Sequence, residues 1–335
     1  MLEIQAELEK AVEEISKRNA RLVAIQVPEG LKAKIPEIVE AIEARTSART
    51  VAFVNPIFGA CMLADDASKR LGADLLLHFG HSQFFRNESV PTVYLPVKYS
   101  LQEEIKQLTF ELLSKKLGEE KIKRVGLTST IQFLHYLQEL KNFLEKNGIP
   151  AIIESGTNMS SGQILGCNYS VALREAEKAE AIIYFGDGLF HPLGIAFSTN
   201  KRVFSANPLS ATVQEITMEK ERFLKKRVGL IGEAFKAKKF GFLVSMEKGQ
   251  FGFRRAVQLK ERLVEQGKQA IIVASDLIRP DYVLGIDVDI WVNTACPRIA
   301  TDDSMLFKKP VITVSELKIV LGEKNIEEYK VEEIL

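Results

Sequence analysis

The stretch Lys239-Phe-Gly-Phe-Leu-Val-Ser245 reads as a buried strand. It feeds a helical pattern from Phe253 to Gln266, with Ala256, Leu259 and Leu263 at the three-to-four spacing of a core-facing stripe. Gly267 stops that helix. Gln269-Ala-Ile-Ile-Val-Ala274, Val288-Asp-Ile-Trp-Val-Asn293 and Pro310 to Val314 then supply three further strands. Strands alternating with helices are the pattern of a parallel sheet flanked by helices.

The same series is written twice more upstream. Arg21-Leu-Val-Ala-Ile-Gln26 and Arg124-Val-Gly-Leu-Thr-Ser129 open the two copies. Leu31 to Ala44 and Ile131 to Lys146 are their helical patterns, and Gly148 stops the second of these. Second strands follow as Thr50-Val-Ala-Phe-Val-Asn55 and Pro150-Ala-Ile-Ile-Glu154, and third strands as Ala73-Asp-Leu-Leu-Leu-His78 and Ala179-Glu-Ala-Ile-Ile-Tyr184. Fourth strands run from Pro91 to Pro96 and from Arg202 to Ala206. A period of about a hundred residues is too long for a solenoid and describes whole domains. The expected fold class is therefore α/β, with three similar parallel-sheet domains at residues 1–100, 101–210 and 211–335 around a pseudo-threefold centre. Met1 to Ala20 reads as a charged amphipathic helix with Ile4, Leu8, Val12 and Ile15 on one stripe, and Leu101 to Leu117 and Ala211 to Lys238 as helical connectors.

At 335 residues, 46% apolar and 27% charged, the composition is that of a soluble globular chain and excludes disorder or a collagen-like repeat. Lys and Arg number 45 against 44 Asp and Glu, so a net charge of +1 exerts no overall pull on nucleic acid or an anionic membrane. The charged opening helix is no secretory signal, and no apolar run approaches the roughly 20 residues that span a bilayer. A cytoplasmic location is expected, where cysteines more often serve metal binding or catalysis than disulfides.

The three cysteines, Cys61, Cys167 and Cys296, are more than 100 residues apart, so any shared site must be built by the fold. Cys61 ends Asn55-Pro-Ile-Phe-Gly-Ala-Cys61, past the second strand of the first series; Cys167 ends Gly162-Gln-Ile-Leu-Gly-Cys167 at the matching point of the second. The third series departs from the pattern: Cys296 follows its third strand in Asn293-Thr-Ala-Cys-Pro-Arg298. All three positions belong to the carboxyl edges of strands, where α/β sheets form their binding crevices. Three thiolates suit a [4Fe-4S] cluster with one iron left open for substrate. Zinc would require a fourth ligand, for which His78, His81 and His191 are candidates, and a single cysteine taken alone is more often a buried, inert side chain.

Several of these segments are familiar together. Phe58-Gly-Ala-Cys61, Leu75-Leu-Leu-His-Phe-Gly-His-Ser82, Gly162-Gln-Ile-Leu-Gly-Cys167, Phe185-Gly-Asp-Gly-Leu-Phe-His191 and Asn293-Thr-Ala-Cys-Pro-Arg-Ile-Ala300 resemble, in order, the archaeal diphthamide synthesis enzymes, the 2-(3-amino-3-carboxypropyl)histidine synthases. Met62 departs from the acidic residue that the family more often carries after its first cysteine, which affects a polar contact and not the ligand. The resemblance implies that Cys61, Cys167 and Cys296 hold a [4Fe-4S] cluster whose open iron binds the methionine part of S-adenosylmethionine. It further implies reductive cleavage to a 3-amino-3-carboxypropyl radical and methylthioadenosine. The radical then adds to C2 of a histidine on translation elongation factor 2, the first step of diphthamide biosynthesis. A homodimer and an electron donor are implied as well, with no membrane and no direct nucleic-acid partner.

Gly59, Gly166, Gly186 and Gly188 would let backbone N–H groups approach a ligand, or are plain strand-to-helix turns. Arg298 would pair with the carboxylate of S-adenosylmethionine, or with Asp302 or Asp303. Gln163 and Asp187 would hydrogen-bond amino or ribose groups, or cap helices. His78, His81 and His191 are candidates to donate a proton or to position the incoming imidazole, or are structural. Pro28-Glu-Gly30 is expected in the same crevice, or as a turn with Gly30 at positive φ. Lys225-Lys-Arg227 and Lys236 to Lys239 read as solvated helix faces first and as a contact surface for the factor or its RNA second. No Walker A sequence supports ATP hydrolysis. The rival readings are a quinolinate synthase-like [4Fe-4S] dehydratase and a non-enzymatic iron–sulfur or zinc protein.

Overall fold

In the Leu22–Gln26 strand, Val23 and Ile25 pack on one face with Ile38, Ile42, Leu75 and Leu77, while Ala24 packs on the other with Leu63 and Leu76. A strand apolar on both faces must be covered on both, which is the condition of a parallel α/β sheet. Arg49–Phe53 pairs with it in parallel on one side and Leu75–Phe79 on the other, with Thr92–Leu95 beyond. The computed structural model describes residues 2–156 and 159–329.

Among the described residues the same spatial order, second strand, first, third, fourth, recurs in two further sheets. One is built from Ala151–Ile152, Val125–Ser129, Ala181–Phe185 and Arg202–Asn207; the other from Gln269–Ser275, Lys239–Ser245, Ile290–Asn293 and Val311–Thr313. The repetition reaches individual hydrogen bonds. Just before each third strand an acidic side chain accepts from the backbone at the start of the first: Asp74 from Arg21 and Leu22, Glu180 from Lys123, and Asp289 from Lys238 and Lys239, all at 2.8–2.9 Å. Two such donors hold the Asp74 and Asp289 carboxyls below their usual range.

The chain divides into two compact units. The first runs to Leu101 and takes in Ile131–Phe133 and Glu247–Gly249; it carries the first sheet, with helices Gln5–Arg18 and Ile35–Arg45 sharing its larger core. The second comprises Gln102–Thr130, Leu134–Met246 and the chain from Gln250, and carries the other two sheets. In the third sheet Phe240, Phe242 and Val244 pack with Ala256, Leu259 and Leu263, the stripe read from the sequence. Trp291 lies against Gly241, where a Cβ would stand 2.2 Å from the indole ring.

The structure corrects several expectations. The connector expected to be helical from Ala211 begins with a strand, Thr212–Glu215, antiparallel to Arg202–Asn207; only Thr217–Lys236 is helix. Ala211 turns the hairpin at φ 48°, and Arg202 spans the strand pair to the Glu215 carboxylate with bonds of 2.8 and 2.6 Å. The first two helical patterns open as tight 3-10 turns, Glu29–Lys34 and Leu134–Tyr136, before Ile35–Arg45 and Leu137–Lys146. Pro36 has no N–H and fits only a first helical turn, so helix Ile35–Arg45 starts with it in that turn. The strand expected from Pro150 to Glu154 shrinks to Ala151–Ile152, because the chain leaves the sheet and returns at Gln163 beside Ser129. The opening segment starts as a strand, Leu2–Glu3, paired with Lys98–Tyr99, and Asn19 at φ 52° ends the helix.

Arg227 belongs neither to a solvated face nor to a contact surface. It is 1% exposed and paired with Glu316, while Lys225 and Lys226 remain on the outside of the same helix. Among the described residues no helix is long and apolar enough to cross a membrane.

Candidate functional site

In the first unit Cys61 is half-buried on the loop after Arg49–Phe53. Gly59 lies directly against its thiol, since a Cβ there would stand 3.4 Å from Sγ. Gly249 closes on the loop from another segment: its N–H donates to the Cys61 carbonyl at 3.1 Å, and a Cβ would fall 2.6 Å from Cys61 Cβ. Beyond the cysteine the loop is clamped by Gln26, whose Nε2 donates to the Met62 carbonyl at 2.8 Å while Oε1 accepts from the Ala64 N–H at 3.1 Å. Met62 therefore contributes its backbone carbonyl to this clamp, and its side chain is buried. Helix Asp65–Arg70 follows; the buried Asp65 carboxylate accepts from Ser89 N–H at 2.7 Å and from Lys248 at 3.1 Å. Lys248 also donates to the Asn87 carbonyl and lies 5.2 Å over the Phe85 ring.

His78 lies near the end of the third strand of this sheet with its side chain fully buried. Its Nδ1 is 2.8 Å from Gln26 Oε1 and its Nε2 is 3.0 Å from His81 Nδ1. The two histidines meet because Gly80 turns the chain at φ +88°, with Pro28 so close that a Cβ would stand 2.8 Å from its ring. Pro28 thus packs at this edge, whereas Gly30 lies inside the 3-10 turn and is not among the positive-φ glycines. Burial lowers the pKa of His81 to about 4, and burial followed by the neighbouring His81 pushes His78 well below its ordinary value. Both imidazoles are neutral near neutral pH.

In the second unit Gly166 and Cys167 form a two-residue turn whose flanks, Leu165 and Asn168, exchange both backbone hydrogen bonds at 3.1 Å. Cys296 follows Ile290–Asn293; the Asn293 amide donates to its carbonyl at 2.8 Å and accepts from Ala295 N–H at 3.1 Å. Both thiol residues are half-buried. Phe190 borders the loops of both: a Cβ on Gly166 would fall 2.0 Å from its ring, and the Arg298 guanidinium sits 5.2 Å over the same ring. Arg298 pairs through Nε with Asp302 at 3.2 Å.

His191 stacks on Tyr184 at 5.6 Å, and burial, then the Arg298 charge, lower its pKa to about 4. Gln163 is buried and accepts from Ser160 N–H at 3.3 Å. Asp187 and Gly188 are exposed, Gly188 at φ +72°. The Gly186 N–H is taken by the Ala206 carbonyl at 3.0 Å and so is not offered to a ligand.

Cys61, Gly59, His78 and His81 thus belong to the first unit, and Cys167, Cys296, Gln163, Gly166, Asp187, Gly188, His191 and Arg298 to the second. Among the described residues neither unit by itself gathers three or more His, Cys, Asp or Glu side chains as a metal would require. A groove lined by Glu233, Lys236, Lys238, Asp289 and Pro310 lies at the amino ends of the third sheet's strands, opposite the Cys296 edge. Sequence reasoning misses Gln26, Gly249, Phe190 and Lys248. A polar residue closing an apolar strand is the one available signal for Gln26, and the others have none.

Residues 27–331 match the family model described as "Putative diphthamide synthesis protein". The chain is 36% identical over 328 residues to the 2-(3-amino-3-carboxypropyl)histidine synthase of Pyrococcus horikoshii, covering 97% of this chain and 92% of that one. It is 32% identical to the enzyme of the same name from Methanocaldococcus jannaschii, covering 97% and 91%. The crystal structure of Dph2 from Pyrococcus horikoshii with a 4Fe-4S cluster superposes with a TM-score of 0.89 at 34% identity, covering 100% of this chain and 95% of that one.

Proposed function

Because the chain belongs to the diphthamide synthesis family, we propose that it transfers the 3-amino-3-carboxypropyl group of S-adenosylmethionine to C2 of a histidine on translation elongation factor 2. The observation that carries this reading is the likeness over the whole chain to a relative solved with a 4Fe-4S cluster. It is supported by one cysteine past a strand's carboxyl end in each of the three sheets.

The donor set fits such a cluster. Cys61, Cys167 and Cys296 are three soft sulfur ligands, each half-buried on a turn whose backbone is tied down, and they would hold it with one iron open. When bound, the cluster would supply one electron to the sulfonium of S-adenosylmethionine, breaking the bond from sulfur to the γ-carbon and releasing methylthioadenosine; once the γ-carbon bonds to C2, the C2 hydrogen leaves as a proton and the electron returns to the oxidised cluster. Arg298, braced by Asp302 and Phe190, offers its terminal nitrogens to the methionine carboxylate as a bidentate donor. Gln163, Asp187 and Gly188 serve the amino and ribose groups; Gly59 leaves room beside the Cys61 thiol, and Gly166 lets Phe190 pack against the Cys167 turn. The working enzyme is a cytoplasmic homodimer served by an electron donor, and the repeats at 1–100, 101–210 and 211–335 each contribute one ligand.

Anaerobic incubation with reductant, S-adenosylmethionine and elongation factor 2, followed by mass spectrometry, tests the reading. Methylthioadenosine and an aminocarboxypropylated histidine are expected; neither product would overturn it. Each single Cys→Ala variant is expected to lose cluster assembly, since no spare cysteine exists. A variant with full iron content would remove that residue from the ligand set.

A further inference from the structure

The Gln26, His78 and His81 side chains are connected in a way that leaves one arrangement of protons. Backbone groups fix the polarity of Gln26: its amide nitrogen donates to the Met62 carbonyl and its oxygen accepts from the Ala64 N–H. The oxygen is therefore an acceptor, and the His78 nitrogen 2.8 Å away must be the one that carries hydrogen. A neutral imidazole carries a single N–H, so Nε2 of His78 is bare and accepts from Nδ1 of His81 at 3.0 Å. His81 has then used its own N–H, and its Nε2 is bare. That atom has no protein partner among the described residues and is not among their sealed polar atoms.

We propose that this chain presents Nε2 of His81 as a fixed hydrogen-bond acceptor for the ring N–H of the histidine that is modified, which makes His81 a substrate-positioning contact and His78 and Gln26 its orienting supports. The assignment rests on the proposed aminocarboxypropyl transfer. It also reverses one expectation for His81: the side chain accepts a hydrogen bond instead of donating a proton.

A neutral target imidazole has one N–H, and C2 lies between its two nitrogens, so holding that N–H fixes the direction in which C2 faces. The Gln26 side chain at the head of this relay also holds the backbone of Met62 and Ala64, which follow Cys61 on the same loop. The target ring and the cysteine loop are thereby referred to one rigid support.

Two measurements test the proposal. Nitrogen-15 spectra of the histidine rings in the cluster-free protein at neutral pH should show His78 and His81 both with hydrogen on Nδ1 and a bare Nε2. A hydrogen on Nε2 of His81, or a charged ring, overturns it. In turnover, His81→Leu should raise the KM for elongation factor 2 and lower the number of histidines modified per methylthioadenosine by about tenfold, the size of one lost hydrogen bond. His81→Gln, whose amide can donate to His78 and still offer an oxygen, should recover part of the loss. An unchanged ratio, or a raised KM for S-adenosylmethionine with none for the factor, overturns the assignment. Absence of methylthioadenosine from the wild-type enzyme would instead overturn the transfer reading itself, so the two failures are told apart.

Discussion

Arg227 and Arg298 each meet a carboxylate in the second unit, at opposite degrees of burial. The Arg227 and Glu316 side chains are 1% and 0% exposed, and the guanidinium pairs with both carboxylate oxygens and with the carbonyls of Ala300 and Val311. Tyr329 donates to Glu316 as well, at 2.7 Å. This pair ties helix Thr217–Lys236 to helix Val314–Val320, and its capacity is spent within the protein. The Arg298 and Asp302 side chains are 41% and 35% exposed and share one bond through Nε, with Phe190 beneath the guanidinium. The terminal nitrogens of Arg298 have no partner among the described residues. The same side chain thus has its donors satisfied within the protein at Arg227 and left over at Arg298.

The largest effect expected from this contrast is in Arg227→Ala. Removing one member of a buried pair strands the other, at a cost of about 3–5 kcal/mol in denaturant unfolding. A loss below about 1 kcal/mol would make the pair no more than a surface contact.

Gly166→Ala attacks the ring under Arg298. A Cβ 2.0 Å from Phe190 must displace it, with a destabilisation of about 1–3 kcal/mol and lower iron content per chain. The same change in a Phe190→Ala background should be much milder, and equal effects in both backgrounds would remove Phe190 from the account.

Acid sharpens the comparison further. His191 has its folded pKa lowered to about 4 from 6.5 by burial and then by Arg298. The unfolded chain therefore binds the proton first: the contribution is full above 6.5 and is lost as pH falls toward 4. The loss is at most about 1.4 kcal/mol per pH unit, and less for a partly exposed ring. Unfolding midpoints across that range should flatten in Arg298→Met, because His191 then titrates higher. Identical slopes in the two proteins would show that the charge is not felt.

The smallest effect on stability is expected in Arg298→Met at neutral pH, within about 0.5 kcal/mol. Binding of S-adenosylmethionine should nevertheless weaken about tenfold or more, as befits a lost charge-assisted bond. Unchanged binding would return Arg298 to the role of a surface ion pair.

The sheets are legible in the sequence because their strands are apolar runs bounded by Gly, Pro or Asn, a local signal that survives without tertiary context. Gly148 and Gly267 are legible for the same reason, and both stand at positive φ after their helices. Thr212–Glu215 is not, because four residues become a strand only through the ladder to Arg202–Asn207. Arg227 is misleading because a Lys-Lys-Arg run looks solvated until the partner 89 positions away is known. Cys61, Cys167 and Cys296 are visible as a set through one cysteine per repeat. The support around them is not: Gly249 approaches Cys61 from a segment far along the chain, a separation no sequence pattern encodes.

Sequence alone determined the α/β class, the threefold repetition and the positions of the thiols, because hydrophobic period, turn residues and residue chemistry are local properties. Tertiary structure decided which donors remain unspent. Gln26 and His78 are 52 positions apart, and only the parallel register of Leu22–Gln26 with Leu75–Phe79 sets them side by side and so fixes where the last bare nitrogen, on His81, lies.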